Sequence, residues 1–352
     1  MQADTTNPGR FAVTRARDFW YVACRSDELR QGPVPRTLFD TPLVLFRDAE
    51  GRAATLIDRC AHRNVPLSAG RVVGGQLECG YHGWRYDIGG ICRTVPALLG
   101  EAEGKARRVI SYPTREQQGF VWVFANPDVA PTEEPYRIPY LEEPEYHAVR
   151  YDYRFECSLF ATLENILDVP HTAFLHRGLF RSSSQKNRIE ARVRRTARQV
   201  EAQYVGEPVP RGLIGRLLAP GGGEVTHYDR FILPSVAQVE YSLGRSHVIV
   251  TDCLTPRSDF ETELHSVVTV RLPVAGAMVT KVLTPLAVRI AQQDAVMLKM
   301  QTEAVQRFGG EQFVNTDVDV LGPHILRLLR QAERGELDAD AAPVEERVEL
   351  LV

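Results

Sequence analysis

Residues 60–90, CAHRNVPLSAGRVVGGQLECGYHGWRYDIGG, decide how the first part of this chain is built. Cys60-Ala61-His62 and Cys79-Gly80-Tyr81-His82 stand in it with sixteen residues between them. Gly74-Gly75 marks a turn into the short strand that ends at Cys79. Two loops at strand ends, each with one cysteine and one histidine, are suited to closing over a small inorganic cluster. Two thiolates on one iron and two imidazoles on the other describe a [2Fe–2S] cluster whose neutral ligands raise its potential. A single zinc in a Cys2His2 site is the competing reading, but Cys-x-His is too tight for the usual finger spacing. Gly80, Gly83 and Ala61 are small enough to let the loop backbones approach bridging sulfides.

Around this segment the pattern is that of an all-β domain. Residues 19–22 and 37–47 (TLFDTPLVLFR) read as strands, Asp48–Arg52 as a turn and Ala53–Ile57 as another strand. The run GFVWVF completes the set. Residues 127–145 are rich in proline and glutamate and read as a surface linker, which places the domain boundary there: residues 1–135 and 136–352. The chain of 352 residues, 44% apolar and 25% charged, has the composition of a soluble globular protein. A net charge of −3 gives no case for nucleic acid or an anionic membrane as partner. The first twenty residues lack a signal-peptide core and no apolar run is long enough to span a membrane, so the expected setting is cytoplasmic. Six scattered cysteines do not form a disulfide framework. Cys24, Cys92, Cys157 and Cys253 read as inert buried thiols, with Cys92 packed beneath the cluster.

The second half turns on residues 163–176, LENILDVPHTAFLH. Two imidazoles and a carboxylate on one face suit iron(II) that must also reach O2. Five helical steps separate His171 from His176 and would rotate the rings apart, but Pro170 cannot donate a hydrogen bond to Ile166. A helix that breaks here lets both rings turn to one point. The carboxylate is sought on residues 286–306, which read as a helix with Ile290, Asp294, Met297, Gln301 and Val305 on one stripe. An acid on an apolar stripe needs a partner, either a metal or an arginine such as Arg289 or Arg307. Asp317 and Asp319 are runners-up in a turn-like run. Asp168, one turn before His171, is placed to fix the ring's orientation. Asn165 and Glu164 are expected to support the site by hydrogen bonding.

Long alternating runs at 148–157, 188–205, 228–243, 246–254 and 263–272 predict an antiparallel sheet with one buried face. The arginines at 188, 192, 194, 195 and 198 read as a solvated face, with docking of an acidic electron carrier or a substrate carboxylate as alternatives. Residues 211–224 read as a mobile lid or an ordinary loop, and the final fifteen residues as a loosely held tail.

These two motifs resemble those of Rieske non-heme iron oxygenases. Residues 60–90 are similar to their cluster segment, and NILDVPHTAFLH to their iron segment in the Asn-x2-Asp-x2-His-x4-His form. The spacing is that of the oxidative demethylase and monooxygenase group, including vanillate demethylase-like, dicamba demethylase-like and chlorophyll-catabolite oxygenase-like members. The segment around QQDAVMLKMQ resembles the stretch bearing their iron carboxylate. The resemblance implies an α+β protein, an all-β Rieske domain followed by a helix-grip domain in which an antiparallel sheet surrounds a long helix. It implies Cys60, His62, Cys79 and His82 on a Rieske [2Fe–2S] cluster and His171, His176 and Asp294 on mononuclear Fe(II). Asp168 and Asn165 would assist there, Asp168 by also contacting His82 of a neighbouring subunit in a head-to-tail homotrimer. The implied reaction uses O2 to hydroxylate or demethylate a hydrophobic small organic substrate. No nicotinamide or flavin fingerprint is present, so a ferredoxin or NAD(P)H-dependent reductase is the expected partner. A ring cis-dihydroxylating dioxygenase and a non-catalytic electron carrier are the other two outcomes.

Overall fold

The computed structural model describes residues 11–176, 187–208, 225–272 and 276–351, with side chains for all but residues 276–283 of these. The chain divides into two compact units, Arg17–Arg137 and Ile138–Val352, and the residues before Arg17 belong with the second. Phe11 packs edge-on against Phe260, and Arg15 Nε donates to Asp259 Oδ1 at 3.0 Å, which ties that leading segment down.

The first unit is all β. Strands β2 (Val34–Leu38), β3 (Thr41–Arg47), β4 (Ala53–Ile57) and β9 (Ser111–Tyr112) form one antiparallel sheet in that order. A second contains β1 (Trp20–Arg25), β11 (Phe120–Phe124) and β10 (Thr114–Gln117). The third, β5 (Arg71–Val73), β6 (Gln76–Glu78), β7 (Arg85–Tyr86) and β8 (Cys92–Thr94), carries the Cys/His loops. The expected single strand over 37–47 is a hairpin instead. Phe39 and Asp40 adopt φ of 49° and 60°, the paired left-handed conformation of a tight two-residue turn. Composition hides this turn, because neither residue is glycine and the apolar run continues through it. Gly75, by contrast, is required where it stands: a Cβ there would lie 2.2 Å from the Ala49 nitrogen.

The second unit is α+β. One antiparallel sheet of eight strands runs β12 (His147–Phe155), β18 (Glu261–Arg271), β17 (Ser246–Ser258), β16 (Val236–Leu243), β15 (Val225–Ile232), β14 (Gln199–Val205), β13 (Arg188–Arg195) and β19 (Val344–Leu351). β13, β14 and β15 alternate as predicted, but β17 and β18 are buried almost throughout, so both faces of the sheet are covered there rather than one; the runs 188–205 and 228–243 each fold into a hairpin. The helices are α1 (Leu159–Ile166), the single turn α2 (Thr172–Leu175), the long α3 (Gly276–Arg307) and α4 (Gly322–Arg334). Leu286 of α3 packs on Val248, Val268 and their neighbours, so the face holding those valines is the one turned to the long helix. Helix α4 is an addition to the predicted elements; Pro323 opens it, and Gly335 at φ 68° ends it.

The C-terminal residues are not a loose tail. β19 pairs in register with β13 from Val344 opposite Arg195 to Leu351 opposite Arg188, and Leu350 is buried. The arginine-rich strand thereby meets the acids of the last segment: Arg188 pairs with Glu349, and Arg194 Nε lies 3.9 Å from Glu345. Arg195 Nη1 contacts His324 Nδ1 of α4 at 3.0 Å. These exposed pairs add little stability, but their alternation fixes register along an edge strand. Removing residues 344–352 is expected to destabilise the second unit by about 3 kcal/mol, mainly from exposing Leu350 and the half-buried Val344 and Val348. It should also promote aggregation through the bared β13 edge. Thermal unfolding and light scattering check this, and an unchanged transition would rule out a structural role. No described helix is long and apolar enough to cross a membrane. The segment 211–224, expected as a lid or loop, lies outside the described residues.

Candidate cluster and iron sites

The two cluster loops are conformational twins despite their different spacing. In one, Cys60 N donates to Val65 O and Asn64 N to Cys60 O; in the other, Cys79 N donates to Trp84 O and Gly83 N to Cys79 O. Asn64 and Gly83 hold φ of 60° and 71° at the matching positions. A Cβ at Gly80 would meet the Ala69 carbonyl at 3.0 Å, so the second loop packs too closely there for a larger residue. Both cysteines are buried, and the Cys79 thiol is raised first by burial, with the Cys60 thiol beside it adding to the effect. Tyr86 Oη lies 3.3 Å from Cys60 Sγ.

The imidazoles lie outward of the thiols. His62 stacks flat on Trp84 at 4.7 Å, and its ring centroid is 4.5 Å from that of the exposed His82. His62 Nδ1 is buried without a hydrogen-bond partner. Among the described residues, only His171, His176 and Asp294 bring three donor atoms within 4.8 Å of one another. The Cys60/His62/Cys79/His82 set is therefore too wide for one tetrahedral zinc and fits a larger, dinuclear object.

The iron segment breaks where Pro170 requires it. Ser158 caps α1 by accepting from Ala161 N at 3.2 Å; the helix ends at Ile166, and α2 begins after His171. His176 Nε2 and His171 Nε2 lie 3.1 and 3.6 Å from Asp294 Oδ1. That oxygen is buried, and neither contact has hydrogen-bond alignment. Both outer nitrogens are tied back. His171 Nδ1 lies 2.6 Å from the Asp168 carbonyl and 3.1 Å from Asp168 Oδ2, which also accepts from His171 N at 2.9 Å. His176 Nδ1 meets Gln293 Oε1 at 2.9 Å. Each ring's inner nitrogen is thus directed to the common point while the other is anchored.

Electrostatics agree with a centre built for a cation. Burial opposes protonation of His171, yet Asp168 and Asp294 outweigh it and raise the ring to about 9. Burial likewise opposes ionisation of Asp294, but His171 and His176 hold its carboxyl below the usual carboxylate range. Neither Arg289 nor Arg307 pairs with Asp294, so the arginine alternative falls away.

The expected stripe on α3 is rotated by about one position. Ala291, Asp294 and Leu298 are buried, whereas Met297 is 49% exposed. Asp319 caps its own turn by accepting from Thr316 N at 2.6 Å, and neither it nor Asp317 joins the group. The Asn165 side-chain amide makes no hydrogen bond among the described residues; the backbone carbonyl of Asn165 accepts from Asp168 N at 3.3 Å. Glu164 is directed elsewhere, toward Gly322 at the start of α4, where an added Cβ would lie 2.5 Å from Glu164 Oε1. Burial, then Asp168, Asp319 and Glu311, push its carboxyl up to about 7. Gln293 is the site residue that sequence reasoning misses. Its position beside Asp294 on the helix is the available signal.

Comparison with known proteins agrees with both halves of this description. Residues 19–113 match the Rieske [2Fe-2S] domain, and residues 155–335, more than half of the chain, match the vanillate O-demethylase oxygenase C-terminal domain. The chain belongs to this family of Rieske-type oxygenases, whose two metal centres, a Rieske [2Fe–2S] cluster and a mononuclear non-heme iron, the donor sets above fit. It is 36% identical to the dicamba O-demethylase oxygenase component of Stenotrophomonas maltophilia over 47% of this chain and 49% of that one. That match spans about half the length of the relative. A vanillate O-demethylase oxygenase subunit from Pseudomonas sp. is 26% identical over 93% of this chain and 97% of its own. The crystal structure of dicamba monooxygenase bound to 3,6-dichlorosalicylic acid superposes with a TM-score of 0.79 at 24% identity, covering 92% of this chain and 99% of that one. At that identity the likeness is one of fold.

Proposed function

We propose that the protein hydroxylates a small, largely hydrophobic organic substrate with O2, and demethylates it where the hydroxylated carbon is bonded to oxygen or nitrogen. The observation that carries this is the convergence of His171, His176 and Asp294 in a chain that also holds the wider Cys60/His62/Cys79/His82 set. When bound, the cluster supplies a stored electron and the iron supplies O2 activation beside the substrate. Asp168 and Gln293 hold the two rings by their outer nitrogens, and Asp294 brings the negative charge. One oxygen atom enters the substrate; the other leaves as water, consuming two protons and two electrons. A hydroxylated methyl group on oxygen or nitrogen then departs as formaldehyde.

The electrons come from outside the chain, from a ferredoxin or an NAD(P)H-dependent reductase, as the names "oxygenase component" and "oxygenase subunit" of its relatives accord with. A homotrimer in which Asp168 of one subunit meets His82 of the next is part of the same proposal. So is a cytoplasmic setting, which six unpaired cysteines favour. Metal analysis and labelled O2 test the whole. The expected result is about three irons per chain, two in the cluster and one mononuclear, with one labelled oxygen in the product. Two irons per chain would make it an electron carrier, and two labelled atoms a dihydroxylating enzyme.

A further inference from the structure

The sheet face turned to α3 carries a polar group that the iron site does not use. Register places Tyr151 opposite Ser266, and Ser266 opposite Asp252, so the three form a row across β12, β18 and β17. Val250 and Val268, their neighbours two residues along the same face, pack with Leu286 of the helix that bears Asp294. Tyr151 packs on the same valine cluster as Leu286, which puts the row against the helix that bears Asp294; its hydroxyl is held up by burial and by the charges of Asp252 and Asp294, with Ser266 opposing them.

Asp252 is 5% exposed and Ser266 fully buried; Ser266 is the polar neighbour of both Asp252 and Tyr151, yet Asp252 Oδ1 and Ser266 Oγ have no well-aligned hydrogen-bond partner. A buried carboxyl oxygen left so is costly unless something else completes it. Burial pushes the Asp252 carboxyl up to about 7. A purely structural acid in this core would be cheaper as a hydrophobic residue.

The rest of that face has one electrostatic character. Along β12 and β15–β18 it holds no lysine or arginine among the described residues. Its second acid is Asp229, and the one buried imidazole, His227, sits between Asp229 Oδ1 at 2.9 Å and Glu207 Oε2 at 2.7 Å. Apart from His227, which its two acids already engage, it offers no cation to a carboxylate such as that of the acid bound to dicamba monooxygenase.

We infer that Asp252, with Ser266 and Tyr151 beside it, is a specificity-determining acceptor for a hydrogen-bond donor on the substrate, a hydroxyl or a protonated amine, and that it disfavours carboxylic acids. This rests on the proposed oxygenase function and specifies its substrate class. An apolar ring would lie among the valines, with its donor directed at Asp252 and its oxidisable carbon toward Asp294.

Calorimetric titration of the metal-loaded protein without O2 tests it with four probes: 2-methoxyphenol, 2-methoxybenzylamine, 2-methoxybenzoate and 1,2-dimethoxybenzene. At least one of the two donor probes should bind about tenfold or more tightly than the last two, as expected for a hydrogen bond to a charged or strongly polar acceptor. Which donor binds better separates hydroxyl from amine recognition. In Asp252→Asn that preference should collapse, with 2-methoxybenzoate gaining relative to the amine. Ser266→Ala, which leaves the acid in place, should keep the order. A flat or acid-favouring order in the wild type, absence of binding by every probe, or an unchanged order in folded Asp252→Asn would overturn the inference. Iron content is read in the same samples. Donor preference without mononuclear iron would sink the oxygenase reading alone, and full iron with no preference would sink this one alone.

Discussion

Asp294→Ala is expected to lose the mononuclear iron and all product formation while keeping the visible absorption of the cluster. Asp294 Oδ1 is the only carboxylate oxygen among the described residues within reach of both histidine Nε2 atoms. Without it, two neutral imidazoles remain, and neutral donors alone hold iron(II) poorly. Loss of a partner that merely orients a ligand costs roughly 10–100-fold in metal affinity, and loss of the charged ligand itself should exceed that. Asp317→Ala and Asp319→Ala serve as controls, since neither acid approaches the histidines, and both should keep iron and turnover. Iron per chain and product yield are measured together. Retained iron and activity in Asp294→Ala would remove it from the site.

The second large effect concerns the path of electrons between subunits. A His82→Ala chain keeps its iron but loses its cluster, and a His171→Ala chain keeps the cluster but loses its iron. Each should be inactive alone. In head-to-tail trimers mixed at equal amounts, about a quarter of the interfaces would set an intact cluster against an intact iron, so turnover should recover to roughly that fraction. Asp168→Asn, with both metals retained, should abolish the transfer. Asp168 already holds His171 through its backbone carbonyl and Oδ2, so the amide keeps part of the ring's orientation while losing the charge. No recovery in mixed trimers of folded chains would exclude the inter-subunit route.

Much of the metal chemistry is legible in the order of residues alone. The Cys/His loops announce themselves because their ligands are close in sequence and their glycines sit where the backbone needs them. The break at Pro170 follows from its missing N–H, and strand alternation predicts the sheet, though not that β17 and β18 are covered on both faces. Periodicity also leads to Asp294, although the stripe it draws is turned by about one position. Exposed Met297 carries the same weight in such a pattern as buried Leu298, because both are apolar.

What the sequence by itself determined is local: ligand identity and spacing, the helix break, the alternating strands. The partners that complete them are long-range and were decided only by the tertiary structure. Gln293 reaches His176 across 117 positions. The acidic end of the chain becomes an edge strand because Arg188–Arg195 offers an unpaired edge and complementary charges. Asp252 is one acid in a long strand until pairing of β17 with β18, and of β18 with β12, places it in one row with Ser266 and Tyr151. Periodicity shows that a residue lies on a face, but only packing shows what that face meets.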